Sequence, residues 1–267
     1  MNIEKIGVVP RRTANPKEAQ QFIEEEGSAI LTGLGLSAEE ACEAAYAIFG
    51  DKVLAVPEAA RVYDGGEMDS RPPGHSNETQ SRCHTDGFSY GDKYPDYILL
   101  LCAKHSEVGG ESFLVDGYSL VEEMETDPDL KWMPDALSKV RIDQTEPGMQ
   151  VSTNTIIKTG PNGRKMLLMA DETYQRPRED SEDPDRDQQM IRGWRQTVDD
   201  LANKITKFKL YPGEASIIDN YRLFHGREAY EDIERLMWRV WIWTDDCSFG
   251  LPDGLLHSDS RYARRRE

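Results

Sequence analysis

The chain has 267 residues, 38% of them hydrophobic and 9% aromatic, and a formal net charge of -17, enough for one catalytic domain spanning 1–267. That charge is repelled by nucleic acid phosphates and anionic membrane surfaces, so neither is expected as a partner. No apolar run is long enough to span a bilayer, and residues 1–10 lack the basic start and apolar core of a secretory signal. Cys42, Cys83, Cys102 and Cys247 lie far apart without a CxxC pair, which argues against structural zinc and a disulfide framework and for reduced thiols in a cytoplasmic protein.

Asn15-Pro16 opens a predicted helix to Glu26, with Asn at the cap and Pro at the first helical position. Ala29 to Leu31 is a short apolar strand ending at Gly33. Ser37 to Phe49 is a second helix, with Glu39 and Glu40 where the helix dipole favours acids. Tyr63 to Arg82, rich in Gly, Pro, Ser, Asn and Asp, reads as loop. Tyr97 to Ala103 is a continuous apolar strand buried on both faces. Gly109-Gly110 turns the chain into a return strand from Glu111 to Val115. A helix over Tyr118 to Glu125 follows. Short strands are predicted at Thr155 to Lys158 and Lys165 to Met169, around the turn at 160–163. A long amphipathic helix runs from Asp187 to Lys207, and Glu214 to Asp219 and Leu236 to Trp243 are strands. Many short strands with few helices predict a mainly β domain, a sandwich or jelly roll with helices packed outside.

The chemistry centres on His84-Thr85-Asp86 and a distant His225. In a strand or tight turn, residues i and i+2 point the same way, so one imidazole and one carboxylate can meet a single ion. A second imidazole completes a two-histidine, one-carboxylate set, which leaves three positions open, as in non-haem Fe(II) oxygenases. HxD alone is a common pattern, and a lone His84 also fits a hydrogen-bonded structural residue. Ten and fourteen positions after His225 come Arg235 and Arg239. Read as a strand, this segment puts Arg235, Met237, Arg239, Trp241 and Trp243 on one face and Leu236, Trp238, Val240 and Ile242 on the other. The second face must be buried, so the arginines project into a barrel interior or cleft. There each needs an anion, from a ligand or from an acid on a neighbouring strand. A zinc hydrolase would use the same three ligands but leaves Arg235 unexplained.

His84-Thr85-Asp86-Gly87, the Tyr97 strand, Gly109-Gly110-Glu111-Ser112 and Leu114-Val115-Asp116-Gly117 together resemble the TauD/TfdA family of Fe(II)/2-oxoglutarate-dependent dioxygenases. The resemblance is nearest to the branch with γ-butyrobetaine hydroxylase and the free-amino-acid hydroxylases and halogenases. Ile218 to Arg227 is similar to the family's distal-histidine segment. The resemblance implies a double-stranded β-helix core with flanking α-helices. It implies His84, Asp86 and His225 as iron ligands, with Ser112 and Arg235 on the distal carboxylate of 2-oxoglutarate. Arg239 matches a position that grips an anionic group of the substrate in some members. It further implies Fe(II), 2-oxoglutarate and O2 as reactants, with ascorbate supportive. Family halogenases carry a small residue at the position of Asp86, so a carboxylate there argues for hydroxylation or desaturation.

The loop before the metal motif is expected to form a pocket wall, with Asn77 and Glu67 as polar contacts; ordinary loop hydrogen bonding is the competing reading for both. A free amino acid is the first-choice small-molecule substrate. A nucleotide or a betaine-type amine is the alternative, a relative that has lost turnover stays open, and so does a homo-oligomer.

Overall fold

Alternation along three apolar strands decides the architecture. In Tyr97–Lys104, Leu99 and Leu101 point to one side with Ala215, Ile217, Val240 and Ile242 of its neighbours, against the helices Pro16–Glu26 and Ala38–Phe49. On the other side Cys102, Ile218 and Met237 meet Leu114 and Leu223 of a second sheet. The computed structural model describes residues 1–57, 59–62, 77–146, 148–171 and 174–253.

The larger sheet runs in the order Arg12–Thr13, Ser28–Leu31, Ala215–Asp219, Tyr97–Lys104, Leu236–Thr244, Val53–Ala55, and Ala60–Val62 also pairs with Leu236–Thr244. The smaller sheet runs Gly7–Val8, Ser112–Asp116, Leu223–Arg227, Ser81–His84, antiparallel throughout. The two faces form a jelly-roll β-sandwich. The outer side of the smaller sheet, with Cys83, Phe113, Val115 and Phe224, is covered by the helices Gly117–Thr126, Met133–Lys139 and Pro184–Ala202.

Local signals explain the helix boundaries. The Asn15 side chain accepts from Lys17 N, and Gly27 closes the helix in the left-handed conformation at φ 81°. Ser37 and Glu40 form a reciprocal capping box. The predicted helix from Asp187 instead spans Pro184–Ala202, because the Asp183 side chain caps Arg186 N and Pro184 takes the first turn. The predicted strand to Met169 ends at Leu167. Beyond it, Leu168 N donates to Ile156 O and the Met169 carbonyl accepts from Thr85 N. Ser81 and Arg82, expected in a loop, belong to the Ser81–His84 strand.

Candidate metal centre and cosubstrate cavity

His84 ends its strand directly opposite His225 on Leu223–Arg227. The pairing brings the two imidazole centroids to 4.3 Å. Asp86, two residues on, completes the group, and the three residues offer ligand atoms that all lie within 4.8 Å of one another. Asp86 Oδ1 is 3.5 Å from His84 Nε2 and 3.9 Å from His225 Nε2. Gly226 is required beside His225, since a Cβ there would stand 2.3 Å from the Phe113 ring and 2.7 Å from the Ser81 carbonyl.

The tripeptide and the flanking Cys83 are anchored from outside. Arg195, buried on the long helix, donates to the Cys83 carbonyl at 2.7 Å and to the Ala170 carbonyl at 2.5 Å. Thr85 N donates to the Met169 carbonyl at 2.8 Å, and Met169 N donates to Thr85 Oγ1 at 3.0 Å. Asn220, 1% exposed, accepts from Asp86 N at 2.9 Å and donates to the Asp86 carbonyl at 3.0 Å and the Pro95 carbonyl at 2.8 Å.

The protonation states suit a cation. His84 Nδ1 lies 2.7 Å from the Arg82 carbonyl, which can only accept, so Nδ1 is the donor of that bond and Nε2 is the ring nitrogen turned toward Asp86. Burial, then His84, push His225 down to about 3, against the pull of Asp86, so it is neutral at pH 7. Burial pushes the Asp86 carboxyl up, but Arg239, His225, His84 and the Trp241 N–H outweigh it and hold it below the ordinary range. One Nε2 from each imidazole and one carboxylate oxygen make up the donor set a divalent ion takes, so the residues present fit iron.

A cavity opens beside the triad, lined by His84, His225, Ser112, Arg235, Arg239 and Arg227 among others. Ser112 pairs with Arg227, and Leu114 pairs with His225. Ser112 is therefore two residues along its strand from the histidine row, about 7 Å away on the same interior face. The strand begins at Leu236 as expected, so Arg235, read on the same face as Arg239, sits just before it, and Arg235 N closes a turn on the Asp232 carbonyl at 3.0 Å. Its side chain still reaches the cavity, 8% exposed, over the Tyr230 ring and against Gly110.

The other expected contacts fare differently. Arg239 faces the cavity, and its Nη1 lies 3.0 Å from Asp86 Oδ2, so the acid it meets is the candidate iron ligand. Asn77 is not brought to the triad: its Nδ2 donates to the Tyr230 carbonyl and its own carbonyl accepts from Tyr230 N, and it lines a separate depression. Reciprocal pairing with Tyr230, 153 positions along the chain, is the physical reason. Glu67 lies outside the described residues. Arg227, Asn220, Arg195 and Trp241 carry no assigned role in the sequence reading; Trp241 had a signal in its shared strand face with Arg239, and Asn220 and Arg227 in their place within the distal-histidine segment.

A jelly roll with two histidines and one carboxylate converging beside a cavity with buried arginines defines the non-haem Fe(II) oxygenase class. The model of the taurine catabolism dioxygenase TauD, TfdA family matches residues 7–241, and the chain belongs to that family. Human γ-butyrobetaine dioxygenase is 29% identical over 153 residues, 51% of this chain and 37% of that protein. Mitochondrial trimethyllysine dioxygenase of Gallus gallus is 26% identical over 151 residues, 51% of this chain and 34% of that protein. The matched segment is thus well under half the length of these curated relatives. A solved structure of asparagine oxygenase with Fe(II), 2S,3S-3-hydroxyasparagine and succinate superposes with TM-score 0.62 at 16% identity, covering 87% of this chain and 80% of that one. AAD-2 with Mn(II) and N-oxalylglycine gives TM-score 0.62 at 13% identity over 93% and 94% of the two chains. These likenesses establish the shared fold.

Proposed function

We propose that this chain, acting as a single catalytic domain, is an Fe(II)/2-oxoglutarate-dependent hydroxylase of a free amino acid. The convergence of His84, Asp86 and His225 beside the cavity that holds Ser112 and Arg235 carries the reading. His84 Nε2, His225 Nε2 and Asp86 Oδ1 would hold the iron. Iron with 2-oxoglutarate and O2 would supply the oxidising power, the cosubstrate leaving as succinate and CO2 and the substrate gaining one oxygen atom.

The residues of the chain do the positioning. Arg235, buried over Tyr230, provides a fixed guanidinium for the distal carboxylate of 2-oxoglutarate, and the Ser112 hydroxyl donates to the same group. The cavity walls Leu100, Leu114, Phe208 and Met237 exclude water from the reacting centre. Arg239, 31% exposed, is the group to which a substrate carboxylate is drawn. Glu146 lies within electrostatic reach of Asp86, Arg239 and His84, where it would meet a substrate ammonium.

The amino-acid substrate is supported by the names of the relatives: asparagine oxygenase, a structure with (3S)-hydroxy-L-Arg, and the γ-butyrobetaine and trimethyllysine dioxygenases. Those compounds pair a carboxylate with a nitrogen group, the combination that Arg239 and Glu146 complement. Ascorbate would keep the iron reduced between turnovers. The compartment proposed is the cytoplasm, in keeping with four cysteines outside any disulfide; among the described residues no helix is long and apolar enough to cross a membrane. The test is a mass-spectrometric screen of the free amino acids with Fe(II), 2-oxoglutarate and ascorbate under air. A product one oxygen heavier than one amino acid supports the reading. Products only from nucleotides or betaine-type amines replace the substrate, and turnover without O2 or 2-oxoglutarate replaces the chemistry with a hydrolase.

A further inference from the structure

The fold treats the two oxygens of Asp86 differently. Oδ1 faces the imidazoles, at 3.5 Å and 3.9 Å from their Nε2 atoms. Oδ2 points the other way, accepting the Trp241 indole N–H at 2.7 Å and facing Arg239 Nη1 at 3.0 Å. Asn220 pins the Asp86 backbone through both its N–H and its carbonyl. Only the side-chain torsions of Asp86 remain free, and the two donors on Oδ2 oppose their rotation. We propose that Trp241 is a positioning residue that holds Asp86 as a one-oxygen metal ligand; the proposal rests on the iron-site reading above.

A carboxylate can bind a cation through one oxygen or chelate it through both. Chelation would consume one of the three positions that a two-histidine, one-carboxylate site leaves open, and a bidentate cosubstrate with O2 needs all three. An oxygen whose lone pairs already accept two donors is a poor second ligand. The two donors differ in permanence. Arg239 sits on a flexible stem, partly exposed, and a substrate anion competes for it. Trp241 belongs to the Leu236–Thr244 strand, with its ring 4.6 Å from the Arg239 guanidinium and edge-on to Tyr90 at 5.5 Å. When a substrate engages Arg239, the indole N–H remains on Oδ2.

Trp241→Phe removes the N–H and keeps an aromatic ring. Trp243→Phe is the control: Trp243 makes the same edge-on contact with Tyr90, at 5.3 Å, but its N–H goes to the Lys93 carbonyl. The readouts are anaerobic Fe(II) titration, the rise in Tm that Fe(II) produces, and the visible spectrum of the Co(II)-loaded protein, which reports coordination number. In Trp241→Phe we expect Fe(II) affinity to fall by about tenfold or more, the Fe(II)-induced rise in Tm to shrink, and the Co(II) spectrum to change. Trp243→Phe keeps wild-type values for all three. Trp241→Gln, which restores an N–H donor, recovers part of the affinity, and it carries the test if the phenylalanine variant fails to fold. Wild-type affinity and spectrum in Trp241→Phe overturn the proposal. So do equal losses in Trp241→Phe and Trp243→Phe, or a Trp241→Gln variant that folds and binds Fe(II) no better than Asp86→Ala. Failure of the wild-type protein itself to bind Fe(II) would instead sink the iron reading.

Discussion

At the scale of single residues, the account makes the triad and the cosubstrate clamp separable. His84→Ala or His225→Ala removes one of the two proposed imidazole ligands, and two remaining donors rarely retain a labile divalent ion; Fe(II) titration should detect no specific binding and turnover should vanish. Full activity in either variant would remove that histidine from the site. Arg235→Ala leaves the candidate iron ligands intact and takes away the guanidinium proposed for the 2-oxoglutarate carboxylate. The KM for 2-oxoglutarate should rise by about tenfold or more while the fold is kept. A rise confined to the KM of the amino acid would mean that Arg235 and Arg239 have exchanged roles. Asp86→Gly removes the carboxylate proposed as the third iron ligand. Hydroxylation should collapse, as read by product mass with Fe(II), 2-oxoglutarate and O2, and unimpaired hydroxylation would require another carboxylate ligand.

At the scale of elements, the strands that carry the site depend on buried polar ties. Asn220 satisfies three backbone groups around Asp86 and Pro95. Asn220→Ala should cost about 2–3 kcal/mol, because it leaves buried donors and acceptors unpaired, measurable as a lower urea midpoint at unchanged slope. Asp96, fully buried, accepts from Thr244 and sits 3.4 Å from Arg164, which also reaches Asp219 at 2.9 Å. Burial raises the Asp96 carboxyl to about 6, against the Thr244 hydrogen bond and Arg164, which lower it. Between about pH 4 and pH 6 the folded protein keeps a proton that the unfolded chain has released. Stability from this group is therefore complete below about pH 4 and lost as pH rises through about 6, an effect of up to about 3 kcal/mol. Asp96→Asn should flatten that part of the stability profile; a profile identical to wild type would contradict the assignment.

The same elements mark what the sequence could reveal. Helices with Asn15-Pro16 and Ser37/Glu40 caps were legible because capping chemistry is local, and the Tyr97 strand because its apolar run is continuous. Leu223–Arg227 was expected as a strand through its histidine but without bounds, since Gly226 and Arg227 break its alternation; the glycine answers to the Phe113 ring of the next strand. Two-residue strands such as Gly7–Val8 and Arg12–Thr13 are too short to carry a period. Of the site, the ligands and the cavity arginines could be read from residue type and order. The tie from Trp241 to Asp86 joins residues 155 positions apart, and Asn77 was drawn to Tyr230 by pairing that no local pattern announces.

At the scale of the whole molecule, helices cover the outer face of each sheet, and the chemistry lies between the sheets, where the smaller one supplies His84, His225 and Ser112 and the larger one Arg239 and Trp241. On the proposed function, this interior couples oxidation of an amino acid to decarboxylation of 2-oxoglutarate. The most direct measurement is succinate formed from 2-oxoglutarate by the purified protein, with and without Fe(II), with and without O2, in the presence of the amino acid found by the screen. The account predicts succinate only when Fe(II) and O2 are both present, one per molecule of hydroxylated product, and none from His225→Ala. Hydroxylated product without succinate, or succinate formed equally without iron, would contradict it.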